Sequence, residues 1–401
     1  MPKHVLVVGG VDFMIDKVEK LGLRYSMVQL PELVSDRHLQ GARRFAVIDY
    51  RDSDEVLAVA RAWHSIDPFD AVVSFTEYGL EPASRCAREL GVAGDNLDAV
   101  LLTRDKKKTR DLLERHGLSP VRHRICASPA DAATFLGELD GRPMVLKPSD
   151  RGLSEGVVVV GPTEALADGW AWAAAATTGP ILAEEYLDGP EYSVESFSLA
   201  GQHDIVMITE KVTTELPRFI EVGHQAPARL APAVREQVVE LVTALLTLIG
   251  QRTGPAHTEI RLTAAGPRVI ESQTRAGGDQ IWEMCELVTG VDLLSETMIA
   301  LLGLPMPRRV PAAKAAAIRF FSFENGRVAG VHGLAEAAAD EGVVRLVCTL
   351  RPGQELGLLE SSTSRQGYAL CVGDSTDDAV AHAEATHDRV AVEWEPVTPD
   401  S

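Results

Sequence analysis

Glu259 and Glu271 are the residues of this chain best placed to do chemistry together. They flank a short turn, Ala264-Ala265-Gly266-Pro267, and the stretches on either side, His257–Thr263 and Arg268–Gln273, read as hairpin strands. A turn centred on Ala265 sets Glu259 opposite Glu271 and His257 opposite Gln273. Side chains alternate along strands, so the two acids then share a face. Like charges facing each other across a sheet destabilise it. A cation between them removes that penalty, and Mg²⁺ favours carboxylate oxygens together with substrate phosphates. Arg275 follows just before a flexible Ala-Gly-Gly and is suited to meet an anion. The alternative is a solvated hairpin whose acids face water.

Other elements supply further walls for such a site. In Pro143-Met-Val-Leu-Lys147-Pro148 a lysine ends an apolar strand, and a buried lysine needs a partner such as a phosphate. The loop Ser149-Asp-Arg-Gly152-Leu-Ser154-Glu-Gly156 then lets backbone N–H groups approach an anion before the strand Val157–Val160. It is not a Walker A loop, because the lysine precedes the glycines. A basic cluster, Arg104 to Lys108 with Arg110, lies in a segment expected to be one helix, Leu97–His116, most of it solvated. Glu184, Glu185 and Leu187 end a strand, and Glu191 opens the next. Phe219–Pro227 reads as an irregular segment carrying Glu221 and His224, and a helix capped by Thr163 runs to about Thr177.

The N-terminal part has a βαβαβ pattern. The apolar run His4–Val8 looks like a parallel strand buried on both faces, and further apolar runs, Phe45–Asp49 and Ala71–Phe75, follow at spacings that leave room for helices. No G-x-G-x-x-G follows the first strand. Glu77, just past the third, lies where ligands of such sheets sit, although an acid at a helix start is also explained by the helix dipole. Ala231–Ile249 is amphipathic, with Val234, Val238, Val242, Leu245 and Ile249 in one stripe. Pro305-Met-Pro307 reads as a linker, and the chain beyond it is β-rich with one late helix, an α+β unit.

The 401 residues allow two or three domains, and the net charge of −19 argues against a nucleic-acid or anionic-membrane partner. The five cysteines are scattered, with no C-x-x-C pair, which fits a reducing, cytoplasmic compartment. No apolar run reaches the length of a membrane span.

Taken together, TRDKKKTR, VLKPSDRGLSEGV, EEYLDGPEYSVE and HTEIRLTAAGPRVIESQTRAGGD, in this order, resemble the ATP-grasp carboxylate–amine ligases over nearly the whole chain. FIEVGHQAP and the C-terminal region are most similar to the L-amino-acid ligases, which make dipeptides. The resemblance implies an ATP-grasp fold. Residues 1–103 would form an N-terminal parallel α/β domain, 104–182 a small lid with its linking helix, 183–305 the large catalytic part, and 306–401 a small α+β domain. It implies that Lys106 and Lys147 contact ATP phosphates and that Ser149, Gly152, Ser154 and Gly156 belong to a loop closing over them. Glu184, Glu185 and Leu187 would flank the adenine and Glu191 the ribose. Glu259 and Glu271 would hold Mg²⁺, or Mn²⁺ in its place, and Arg275 would stabilise the acyl phosphate. Glu221, His224, Glu77, Gly278 and Asp279 would line the amino-acid site.

Two departures stand out. Gln273 replaces the family's usual Asn: it keeps an amide oxygen that can reach a metal, or else leaves the second Mg²⁺ less tightly held. Asp279 takes a spot where some amino-acid ligases carry a bulky residue, which leaves the accepted side chain open. The implied reaction joins an amino-acid carboxylate to an amine through an acyl phosphate, releasing ADP and phosphate. Alternatives are another carboxylate or an unusual amine of secondary or purine metabolism, or a nucleotide-binding protein without catalysis. The partners implied are small molecules, and a homodimer stays open.

Overall fold

The computed structural model describes residues 2–149, 155–161, 166–214 and 219–395. The N-terminal sheet has four parallel strands in the order Phe45–Val47, Arg24–Gln29, His4–Val8, Ala71–Val73. Its central strand puts Leu6 and Val8 into one apolar core and Val5 and Val7 into another. Cover on both faces is why HVLVV shows no polar alternation. The strand Arg24–Gln29 is an addition to the sequence reading. Its Arg, Ser and Gln disguise a segment that is almost wholly buried. Lys17 docks this unit on the rest of the molecule, pairing with Glu286 at 2.6 Å and Asp292 at 2.7 Å. Beside it Phe13 stacks on Trp282.

The expected helix Leu97–His116 is two helices, Leu97–Thr103 and Lys106–Arg115. Asp105 causes the break: its side chain accepts from the Lys108 N–H and caps the second helix. Lys106 thereby stands at a helix start, and Arg110 one turn on is buried. A smaller antiparallel sheet follows, in the order His123–Cys126, Ile181–Glu185, Met144–Pro148, Val158–Val160. The helix beside it is described over Leu166–Ala175, and its expected cap Thr163 lies outside the described residues.

The largest sheet has eight strands, ordered Gly266–Gln273, Gly254–Thr263, Glu191–Leu199, Gln202–Thr213, Glu221–Ala226, Ala315–Phe320, Gly367–Gly373, Val343–Cys348. Phe219–Pro227, expected to be irregular, holds a regular strand over Glu221–Ala226. The strand Gln202–Thr213 was not foreseen. Ala315–Phe320 pairs directly with Glu221–Ala226, so this sheet runs across the expected boundary at 305/306. One face is covered by the helix Pro232–Leu248, whose Val238, Val242 and Leu245 meet Val194, Ile260 and Val269. The other carries Phe197, Met207 and Phe320 under the helices Ile281–Thr289 and Leu293–Leu301, and the acidic row lies on that same face.

The hairpin pairs Glu259 with Glu271 and His257 with Gln273. It reaches this register by an unexpected route. Thr263 pairs with Gly266, so the turn is tighter than one centred on Ala265, and a bulge at Ile270 restores the offset. The Glu185-to-Glu191 corner crosses close over this hairpin at Gly189. That residue has φ +132°, and a Cβ there would stand 2.1 Å from the Leu262 carbonyl oxygen. Gly189→Ala is therefore expected to cost about 1–3 kcal/mol in urea unfolding and to displace Glu191. A midpoint equal to that of the unsubstituted chain would show that the corner tolerates a side chain.

Candidate active site

The strand pairings put acids in a row on one face of the large sheet. Glu191 lies opposite Arg261, Ser193 opposite Glu259, and Glu195 opposite His257. Such a row cannot stand without cations, and the main one is Lys211, from the unforeseen strand. Its ammonium is 2.6 Å from Glu191, 2.7 Å from Glu259 and 3.2 Å from Glu221. Burial alone would push the Lys211 pKa down, but the three carboxylates hold it well above its ordinary value. The three acids converge closely enough for a metal ion, yet the lysine ammonium already compensates them.

At the other end His257 Nδ1 is 2.5 Å from the buried Glu195. Burial disfavours the imidazolium, but Glu195 overrides this and the pKa stands at about 9. Gly277 donates its N–H to the same carboxylate at 2.9 Å, and a Cβ there would lie 2.8 Å from His257 Nδ1. Glycine is required by this close approach.

Two cavities meet over this floor. The first is lined by Lys106, Lys147, Glu184 to Leu187, Glu191, Phe219 and Arg261. The second is lined by Lys211, His224, Gln273, Arg275, Gly278 and Asp279. Glu221, Glu259 and Glu271 belong to both. A molecule in one cavity can therefore reach a molecule in the other across these three carboxylates.

In the first cavity Glu184 organises two buried cations. Arg110 approaches it at 2.5 Å and Lys147 at 2.7 Å. Arg110 also donates to the carbonyls of Val269 and Ile270, tying this strand to the hairpin. Burial opposes the Glu184 charge, but Arg110 and Lys147 bring its pKa to about 2. Lys147 is lowered, first by burial. Lys106 lies 3.3 Å from Glu271, which outweighs burial and raises its pKa.

The Gln273 amide donates to Glu271 at 2.7 Å, while its buried Oε1 has no partner. An orphan oxygen beside two acids fits a hard cation such as Mg²⁺. Glu259, Glu271 and Gln273 are the residues that could hold one.

Comparison with known proteins gives three family matches along the chain. Residues 15–94 match the ATP-grasp N-terminal domain, 141–283 the ATP-grasp domain, and 319–395 the L-amino acid ligase C-terminal domain 2. The chain belongs to the ATP-grasp superfamily. It ends in an L-amino acid ligase C-terminal domain. The crystal structure of L-amino acid ligase from Bacillus licheniformis superposes with a TM-score of 0.83 at 23% identity, covering 98% of this chain and 99% of that one. At that identity the likeness establishes the fold. Among curated relatives, alanine–anticapsin ligase of Bacillus subtilis (strain 168) is 26% identical over 56% of this chain and 52% of its own length. Carnosine synthase 1 of Gallus gallus is 29% identical over 41% of this chain and 18% of its own length. The chain covers 65% or less of the length of each of the first curated relatives it matches. Among the described residues, no helix is long and apolar enough to cross a membrane.

Within this ATP-grasp chain the expected site residues fall into three groups. Lys106, Lys147, Glu184, Glu185, Leu187 and Glu191 line the first cavity. The Glu184 carboxylate, however, is engaged by Arg110 and Lys147, and Glu185 is held by the Arg122 N–H and the Arg142 guanidinium. Their side chains hold the wall in place. Glu191 is held by Lys211 and Arg261. Glu221, His224, Arg275, Gly278 and Asp279 line the second cavity. Glu77 pairs with Arg275 at 2.8 Å and positions it. The Ser149 hydroxyl donates to the Pro180 carbonyl, Gly156 borders a groove beside Trp172, and Gly152 and Ser154 lie outside the described residues.

Sequence reading passed over Lys211, Arg110, Glu195 and Arg365 as site residues. Lys211 had a signal, since Ile205 to Thr213 has a strand-like composition leading to a lysine among acids. Arg365 had none, because it reaches Asp279 from 86 residues away.

The Glu184 cluster predicts a pH dependence. Its folded pKa near 2 lies below the ordinary 4.5, so its stabilisation is complete above 4.5 and is lost as pH falls through 2. Glu184→Gln should cost about 3–5 kcal/mol at pH 7, and the gap to the unsubstituted chain should shrink between pH 4.5 and 2. A gap that stays constant over that range contradicts the ion-pair account.

Proposed function

We propose that this protein is an ATP-dependent ligase that joins an amino-acid carboxylate to an amine, releasing ADP and phosphate. The observation carrying this reading is the shared wall of Glu221, Glu259 and Glu271 between the two cavities. One cavity suits a nucleotide, with the buried Lys147 and the half-buried Lys106 for phosphates. The other suits a small zwitterion, with Glu221 for an ammonium group and Arg275 for a carboxylate. The names of the relatives, alanine–anticapsin ligase and carnosine synthase 1, support the same class.

The steps follow from the residues. ATP lies with its adenine along the Glu185–Leu187 backbone and its phosphates toward Lys106 and Lys147. Glu259, Glu271 and Gln273 would hold Mg²⁺, which supplies charge neutralisation on the phosphates. The substrate carboxylate oxygen attacks the γ-phosphorus, and ADP leaves. Arg275, steadied by Glu77, faces the resulting acyl phosphate and then the tetrahedral adduct. The amine nitrogen attacks the acyl carbon, loses a proton, and phosphate departs with the former carboxylate oxygen. Positioning and charge stabilisation suffice, so no covalent enzyme intermediate is needed.

A phosphate-release screen over pairs of amino acids, with mass spectrometry of products, tests the reading. Phosphate and a dehydrated conjugate should appear together for at least one pair. No release with any pair of a carboxylate and an amine contradicts it. Glu271→Ala should abolish turnover in a folded protein, and near-normal activity would remove Glu271 from the site. Arg275→Ala should slow turnover by on the order of 10²-fold, and an unchanged rate would make Arg275 structural.

A further inference from the structure

Asp279 lies on the wall of the second cavity, and its charge is met from behind by Arg365 of the C-terminal segment. Arg365 Nη1 donates to Oδ2 at 2.9 Å and Nη2 to Oδ1 at 2.5 Å, a two-pronged pair. Its other donors reach the Ser362 carbonyl at 2.7 Å and the Glu221 carbonyl at 3.1 Å. The guanidinium also lies 3.8 Å from the Phe320 ring centroid. The Arg365 side chain is only 9% exposed, so this geometry is held tightly. His224 Nε2 adds a contact to Asp279 at 3.3 Å. Burial disfavours the Asp279 carboxylate, but His224 and Arg365 hold its pKa well below the usual range.

The other charges of the cavity are likewise matched. Glu221 has Lys211 and the Ser362 hydroxyl, and Arg275 has Glu77. The amino acid's own ammonium and carboxylate take Glu221 and Arg275, so a charged side chain would leave water and find no further counter-charge at the neutralised Asp279, whereas a neutral one would lose little. We infer that Arg365 sets the charge selectivity of this pocket: by neutralising Asp279 it limits the substrate to amino acids with uncharged side chains. The inference rests on reading the second cavity as the amino-acid site. Without the guanidinium, Asp279 becomes an unmatched acid, and a cationic side chain becomes its partner.

The test is calorimetric binding of leucine and of lysine to the full chain, with Mg²⁺ and a non-hydrolysable ATP analogue present. The unsubstituted protein should bind leucine and discriminate against lysine. Arg365→Met, which keeps an unbranched side chain but removes the cation, should bind lysine at least about tenfold more tightly than the unsubstituted protein does, and the ratio of leucine to lysine affinity should fall accordingly. Adding Asp279→Asn to that variant should remove the gain. Arg365→Lys, which retains a cation, should keep the original preference and guards against a folding defect in the Met variant. Overturning results are a preference for lysine in the unsubstituted protein, no gain in Arg365→Met, a gain that survives Asp279→Asn, or no amino-acid binding at all. Calorimetry does not require turnover, so amino-acid binding without phosphate release would refute the ligase reading separately.

Discussion

A row of carboxylates on the face of a β-sheet is unstable until cations are placed among them, and the architecture of this protein follows from meeting that condition. Lys211 sits among Glu191, Glu221 and Glu259, Lys106 beside Glu271, and Arg110 with Lys147 at Glu184. These cations come from a sheet strand, a helix start, a helix interior and the smaller sheet. Lys211 and Lys106 thereby fix their elements against the hairpin by charge, and Arg110 ties Glu184 of the smaller sheet to the hairpin carbonyls of Val269 and Ile270. Removing one partner of a buried pair leaves the other unmatched, which is costly. The site therefore tolerates little drift.

The same balance explains why the arrangement suits phosphoryl transfer. In the proposed reaction ATP would bring negative charge to a cavity whose lysines are now held by acids on the protein. Those lysines would turn from carboxylate to phosphate, leaving Glu184 to Arg110 and Glu271 to a bound cation. Gln273, with its amide oxygen unpartnered beside Glu271, is the residue where such a cation is most directly invited. The N-terminal unit contributes through Glu77, which steadies Arg275, and the C-terminal segment through Arg365 and Ser362. Three separated parts of the chain converge on one small cavity.

Legibility in the sequence followed the range of the interactions. The pairing of Glu259 with Glu271 is local to a hairpin, so alternation sufficed to find it, even though a tighter turn and a bulge at Ile270 produced the register. His4–Val8 was legible because burial on both faces removes polar residues. Arg24–Gln29 was missed because it is a buried strand that carries polar side chains with specific partners, and Gln202–Thr213 because it is mostly half-buried and mixes charged and polar residues with its apolar ones. Glu221 and His224 were recognised as residues but not as a strand, since their regularity comes from pairing with distant Ala315–Phe320. The break at Asp105 turned on one capping side chain within an otherwise helical pattern. Arg365 lay beyond any local pattern.

The central claim is that a carboxylate is activated by phosphoryl transfer over the Glu221, Glu259 and Glu271 wall. Oxygen-18 tracing tests it most directly: an amino acid labelled in its carboxylate is turned over with ATP and an amine, and the released phosphate is weighed by mass spectrometry. The account predicts one labelled oxygen in each phosphate, carried from the carboxylate through the acyl phosphate. Unlabelled phosphate accompanying amide formation would contradict it.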